Sequence, residues 1–192
     1  DKVDFFKVNQ LIANTSKSVT VDNIADKKAL LSVTNLTASA DIKSAKITVT
    51  DDVNKSEVDT INAYNTTGNV TITSITDNFS NISSVQSSPG VVINTALITA
   101  TDPVTLDNAN TLNGFTTEQV TLDSVKDTVS NITSIDGIKT SEVSMAAAAV
   151  TVTDAASLAD ANTLNGFTEG LVTLNLVEDN VCNIKSIDLI DL

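Results

Sequence analysis

The sequence contains no histidine, no tryptophan and no arginine, and its 192 residues include one cysteine, two prolines and six glycines. Without histidine, neither a Ser-His-Asp nor a Cys-His arrangement can be assembled to activate a nucleophile. Cys182 has no intrachain disulfide partner, and the zinc and dithiol motifs that need paired thiols are absent. Its counterparts in other repeats, Ser80 and Ser130, are small too, so Cys182 is expected to be a small core residue. Six glycines are too few for the Gly-Gly-x-Gly-x-Asp calcium roll, and no Gly-rich phosphate loop is present. All 11 basic residues are lysine, against 24 Asp plus Glu, and the net charge of -13 repels nucleic acid and anionic membrane surfaces. No apolar run reaches the ~18 residues of a membrane span. Asp1-Lys2-Val3 is neither an initiator Met nor the start of a leader, which places any secretion signal outside this sequence.

What is present is enough to fold. Hydrophobic residues make up 41% of the chain and mean hydropathy is +0.12, so a continuous core can be buried. These residues recur in a repeat. Ile47-Thr-Val-Thr-Asp51, Ile98-Thr-Ala-Thr-Asp102 and Val150-Thr-Val-Thr-Asp154 are one phrase, with Asp spacings of 51 and 52 residues. A second phrase begins at Val19, Val70, Val120 and Val172, each followed seven residues later by Asp26, Asp77, Asp127 or Asp179. Ala109–Thr116 and Ala161–Thr168 are identical over eight residues. The repeat divides the chain into units at 1–50 (leading strand missing), 51–101, 102–153 and 154–192 (truncated), with both termini expected to fall inside the array.

Each phrase alternates apolar residues with Thr, the signature of a strand. After each phrase, apolar residues recur in steps of three, as in Leu106, Ala109, Leu112 and Phe115, or Val129, Ile132 and Ile135. This rhythm predicts short one-faced helices, some of them 3₁₀, each with the preceding Asp as its N-cap. Val91–Asn94 and Ser141–Ser144 are candidates for further short strands. A strand and a short helix in half-units of about 22 and 29 residues predict an α/β solenoid with a parallel sheet on one face. The alternative is an all-β solenoid or a string of β-sandwiches, favoured by the Thr, Val and Ile content.

Two kinds of polar column are candidate sites. Asp1, Asp51, Asp102 and Asp154 form one Asp column, and Asp26, Asp77, Asp127 and Asp179 another. As architecture they are helix caps. As chemistry, Asp51, Asp102, Asp154, Asp77, Asp127 and Asp179 are calcium candidates together with Asp52, with Asp22 and Asp123 able to add oxygens, because calcium takes six to eight hard oxygens. Asn81, Asn131 and Asn183 align, as do Asn62, Asn113 and Asn165, and are expected to form structural ladders that bond the turns. Eight Asn-x-Ser/Thr sequons follow from composition and carry no glycosylation reading. Acids that recur once per unit are architectural rather than catalytic, so no enzyme is expected.

The stretches at 150–164 and 102–112 resemble repeats of very large secreted or cell-surface proteins of bacteria, notably cyanobacteria, of the S-layer-like, adhesin-like and RTX-associated kinds. That resemblance implies an extracellular or cell-surface scaffold segment: a stalk, fibre, sheath or surface layer. Its partners would be neighbouring repeats or copies of itself. The alternative is an adhesin arm that binds a glycan or protein on one solenoid face.

Overall fold

The computed structural model describes residues 2–14, 19–29, 31, 40–138 and 142–180. They fall in two compact units, Asp1–Leu97 and Ile98–Leu192. Cys182 and Asn183 lie outside the described residues.

The first unit contains α1 (Phe5–Ala13), β1 (Val19–Thr20), β2 (Asn23–Asp26), β3 (Ala40–Asp41), β4 (Lys46–Val53), α2 (Lys55–Tyr64), β5 (Val70–Asp77), α3 (Phe79–Gln86) and β6 (Val91–Val92). In it β2, β4 and β5 lie side by side in parallel, β6 pairs in parallel with the first two residues of β5, and β1 pairs with β3. The second unit contains β7 (Leu97–Val104), α4 (Leu106–Asn113), β8 (Val120–Asp127), α5 (Val129–Gly137), β9 (Val143–Ser144), β10 (Ala149–Ala156), α6 (Leu158–Asn165) and β11 (Val172–Val177). Its parallel order is β7, β8, β10, β11, with β9 pairing in parallel with the first two residues of β8. The class is therefore α/β, with every described strand pair parallel and helices as the crossovers such pairs require. The expected extra strands at 91–94 and 141–144 are β6 and β9.

The sequence repeat is also a repeat of register. Ile47 faces Val70, Ile98 faces Val120, and Val150 faces Val172. Further along, Val3 bridges Ile24, Val53 faces Ile75, Val104 faces Val125, and Ala156 faces Val177. Alternation explains the faces: Ile47 and Val49 are buried, Thr48 is half-buried and Thr50 exposed. The first-phrase strands, however, run through Asp51, Asp102 and Asp154 rather than ending before them, whereas β5 and β8 end on Asp77 and Asp127. In each repeat a register shift separates the two halves of the first-phrase strand, at Val49/Asp52, Ala100/Pro103 and Val152/Ala155. One extra residue is accommodated there as a β-bulge, and Asp51, Asp102 and Asp154 sit in it. The bulge breaks simple alternation, which is why the strands look shorter in sequence than they are.

The helices are α-helices of eight to ten residues, not 3₁₀. Steps of three fan apolar positions across half a helix surface, and burial follows that fan. Only the central pair is buried in each: Val58 and Ile61, Ile82 and Val85, Ala109 and Leu112, Ile132 and Ile135, Ala161 and Leu164. Leu106, Leu158 and Phe115, at the edges of the fan, are half-exposed. In α1, Val8 is buried like its counterpart Val58, but Leu11, the counterpart of Ile61, is exposed.

Candidate functional site

The carboxylates do cap helices, but not in the way their position in sequence suggests. The N-cap of each helix is another residue: Asp4 for α1, Asn54 for α2, Asn78 for α3, Thr105 for α4, Thr128 for α5 and Ser157 for α6. Each accepts a hydrogen bond from the third amide of its own helix, the usual capping geometry. Asp77, Asp127, Asp154 and Asp179 instead reach back to the first amide of a preceding helix, and Asp51 to a turn amide.

Asp77 Oδ2 accepts from the Lys55 amide of α2 at 2.8 Å. Asp127 Oδ2 accepts from Leu106 of α4 at 2.9 Å, and Asp179 Oδ2 from Leu158 of α6 at 3.0 Å. From the bulges, Asp154 Oδ1 accepts from Val129 of α5 at 2.9 Å, and Asp51 Oδ1 from Lys28 at 2.7 Å. The partners lie 21 to 25 residues apart, about one strand-and-helix half-unit. A helix leaves its first four amides without internal partners, and its N-terminus favours negative charge. N-cap and inter-turn aspartate therefore divide those amides between them, one local and one from the next turn.

The second oxygen of the second-column carboxylates closes the local turn. Asp77 Oδ1 accepts from the Asn78 amide and from Asn81 Nδ2, both at 2.8 Å. Asp127 Oδ1 accepts from the Thr128 amide and Asn131 Nδ2, both at 2.9 Å. Burial pushes both carboxyls up, but the three N–H donors outweigh it and hold each below the usual aspartate value. Of the expected Asn ladder, Asn81 and Asn131 thus bond the carboxylate one helical turn behind them rather than the backbone of an adjacent turn. In the other Asn column, Asn62 donates to the Pro89 carbonyl at 3.3 Å, and Asn113 donates to Glu142 Oε2 at 3.3 Å. Those two bonds do link successive turns.

As calcium ligands the seven candidate aspartates are poorly gathered. Among the described residues no three acidic or thiol side chains converge on a point that could hold a metal. Asp51, Asp77, Asp127, Asp154 and Asp179 already accept N–H bonds, which a cation would have to displace. Asp52 Oδ1 accepts from the Ser74 and Thr76 hydroxyls of β5 at 2.7 and 3.1 Å. Asp102 occupies the equivalent bulge in β7.

A third column carries no apolar or acidic signal. Asn65, Thr116 and Thr168 are the only buried polar residues among those described. Asn65 Nδ2 donates to the Ala45 carbonyl and its Oδ1 accepts from the Gly68 amide at 2.6 Å. Thr168 donates to the Ala148 carbonyl at 2.7 Å and accepts from the Gly170 amide at 2.9 Å. The terminal Thr of the eight-residue identity was the available clue, since a buried polar group needs such partners. The adjacent glycines are required by the same approach: a Cβ at Gly68 or Gly170 would collide with the Ala45 or Ala148 carbonyl oxygen.

Several sequon asparagines are committed to structure, Asn54 and Asn78 as N-caps, Asn65 in the core, Asn81 and Asn131 on carboxylates. A groove of about 250 Å³ is lined by Lys28, Ala29, Leu31, Ser56, Glu57, Thr60 and Ile61, and two of these, Lys28 and Glu57, form an ion pair at 2.9 Å. No helix among the described residues is long and apolar enough to cross a membrane. A scan against protein-family models, a search of curated proteins and a search of solved structures each found no match to this chain.

Proposed function

We propose that this chain is a structural tandem-repeat segment of a large extracellular or cell-surface protein, working as a solenoid scaffold in a stalk, fibre, sheath or surface layer. The observation that carries the reading is the recurring inter-turn bond: Lys55 to Asp77, Leu106 to Asp127, Val129 to Asp154 and Leu158 to Asp179. Chemistry-bearing side chains used in this way hold turns to one another, and repetition of a holding device suits a mechanical part rather than a single active site. No enzyme activity is proposed. The acidic, lysine-only composition and the resemblance to giant repetitive exoproteins support an outside location, with neighbouring repeats or further copies as partners.

Deletion tests the scaffold reading. Removing residues 102–153, one whole unit, leaves each bulge, cap and inter-turn acceptor with an equivalent partner, so far-UV circular dichroism keeps its shape and the melting temperature moves modestly. Removing 128–153 joins half-units of the wrong kind and abolishes the cooperative transition. The reverse pattern overturns the array. For location, an antibody against the chain labels intact cells of the source; labelling only after permeabilisation overturns the surface assignment.

A further inference from the structure

The chain has two prolines, Pro89 and Pro103, and only Pro103 follows an aspartate. Proline closes its nitrogen into a ring, so the Asp102–Pro103 link is a tertiary amide without an N–H. That nitrogen accepts a proton and leaves more readily than the nitrogen of an ordinary peptide bond, and the Asp102 carboxylate is tethered next to the carbonyl carbon it would leave. Cleavage then needs only water and acid. A carboxylate oxygen of Asp102 bonds to the Asp102 carbonyl carbon, the proline nitrogen takes a proton from solution, and the C–N bond breaks. The products are a cyclic anhydride at 102 and a secondary amine at Pro103. Water opens the anhydride and leaves Asp102 as a C-terminal residue with two carboxyl groups.

The fold sets this bond in the bulge of β7 and repeats the same bulge twice with other residues. The register steps from Ala100 opposite Leu122 to Pro103 opposite Ser124, so Thr101 and Asp102 together stand against Asp123 of β8. A bulge is one of the few places within a sheet that tolerates proline, and Pro103 is exposed there. In β4 the corresponding bond is Asp51–Asp52, and in β10 it is Asp154–Ala155. All three have an aspartate on the carbonyl side, and they differ in the leaving nitrogen. The two sides of the β7 bulge share one neighbouring strand: Ile98, Thr99 and Ala100 pair with Val120, Thr121 and Leu122, and Pro103 and Val104 pair with Ser124 and Val125.

We propose that the Asp102–Pro103 bond is a self-cleaving breakpoint in the bulge of β7, cut in mild acid by the Asp102 side chain, with β8 holding both sides of the cut in place. The pieces are 1–102 and 103–192. Because Ile98–Ala100 and Pro103–Val104 keep their pairing with β8, the nick leaves the sheet standing and shows only when the sheet is opened. Covalent continuity ends at that point, and any load along the chain passes there through hydrogen bonds and packing alone.

The test uses the full chain, kept warm but below its melting temperature at about pH 4, near the ordinary aspartate value, with and without urea. Intact-mass spectrometry follows the products. A single cut between Asp102 and Pro103 is expected in both conditions, with Asp51–Asp52 and Asp154–Ala155 left whole. Returned to neutral buffer, the cut chain elutes from a sizing column with the uncut chain, and urea parts it into two. Pro103→Ala puts into β7 the residue that β10 carries at the same place in its bulge, and it abolishes the cut. Ala155→Pro adds a second cut, after Asp154. Circular dichroism checks that each variant is folded, and Asp52→Pro repeats the gain in β4 if Ala155→Pro is not. A chain cut in urea but whole in buffer overturns the breakpoint, as does cleavage that survives Pro103→Ala or a folded proline variant that gains no cut. Fragments that separate without urea overturn the role given to β8.

Discussion

Asp127→Ala is the most direct probe of the inter-turn bond. In the native chain one carboxylate accepts from the Leu106 amide of the preceding helix, from the Thr128 amide and from Asn131 Nδ2, all at 2.9 Å. Bonds to a charged acceptor contribute about 1.5 to 3 kcal/mol each when unshared, and loss of a helix cap about 1 kcal/mol. The two freed backbone amides lie near the surface and regain water, so the three losses do not add in full. A cost of roughly 2 to 4 kcal/mol is expected. Asp127→Asn retains one carbonyl acceptor and costs about half as much. The control is Asp123→Ala on the same strand, exposed and expected to stay within ~0.5 kcal/mol. Urea titration gives the stability, and hydrogen exchange gives the location: the Leu106 amide loses protection in Asp127→Ala although it belongs to another helix. If Asp127→Ala costs no more than Asp123→Ala, or if Leu106 exchange is unchanged, the aspartates are not what joins the turns.

Acid provides a second test. Asp77 and Asp127 titrate below the usual aspartate value in the fold, so their contribution is present above about pH 4, the unfolded value, and is lost as pH falls through the folded one. Melting temperature against pH is therefore level through neutrality and falls below about 4, and the Asp77→Asn/Asp127→Asn variant shows a shallower fall. A steeper fall in the variant refutes the assignment. Glycine substitutions separate close approach from chain entropy. Gly170→Ala drives a methyl into the Ala148 carbonyl and costs about 1 to 3 kcal/mol, whereas Gly137→Ala meets nothing within 4 Å at the end of α5 and stabilises by roughly 0.5 kcal/mol. Equal effects at the two glycines sink that distinction. Millimolar calcium or a chelator leaves the melting temperature unchanged, because the column carboxylates already accept N–H bonds. A saturable rise with calcium overturns this.

Much of the fold was legible because the repeat states it several times over. Ile47, Ile98 and Val150 alternate with Thr in the same way, and Val70, Val120 and Val172 do too, so a parallel sheet was the economical reading, while the register that pairs them came from the structure. The helical fans were equally open: Val58 with Ile61, Ala109 with Leu112 and Ala161 with Leu164 each recur at the centre of a three-step rhythm. The site was less legible. An Asp just ahead of a helical rhythm resembles an N-cap whether it bonds its own helix or the one before, since both are satisfied by the same residue type at the same place. Asn54, Thr105 and Ser157, the true caps, differ in identity from repeat to repeat and so form no visible column. Asn65 and Thr168 were hidden for a related reason: Asn in one repeat and Thr in another both reach a backbone carbonyl 20 residues back.

What the sequence determined alone was periodicity: the units, the α/β class, the apolar faces and the exclusion of histidine- and cysteine-dependent chemistry. These depend on residue type and local spacing, which survive in a one-dimensional string. The tertiary structure decided who bonds to whom across 21 to 25 residues. A bulge of one residue aims Asp154 at the N-terminus of α5. Such pairings depend on which segments lie side by side in space, which residue type and local spacing alone do not carry.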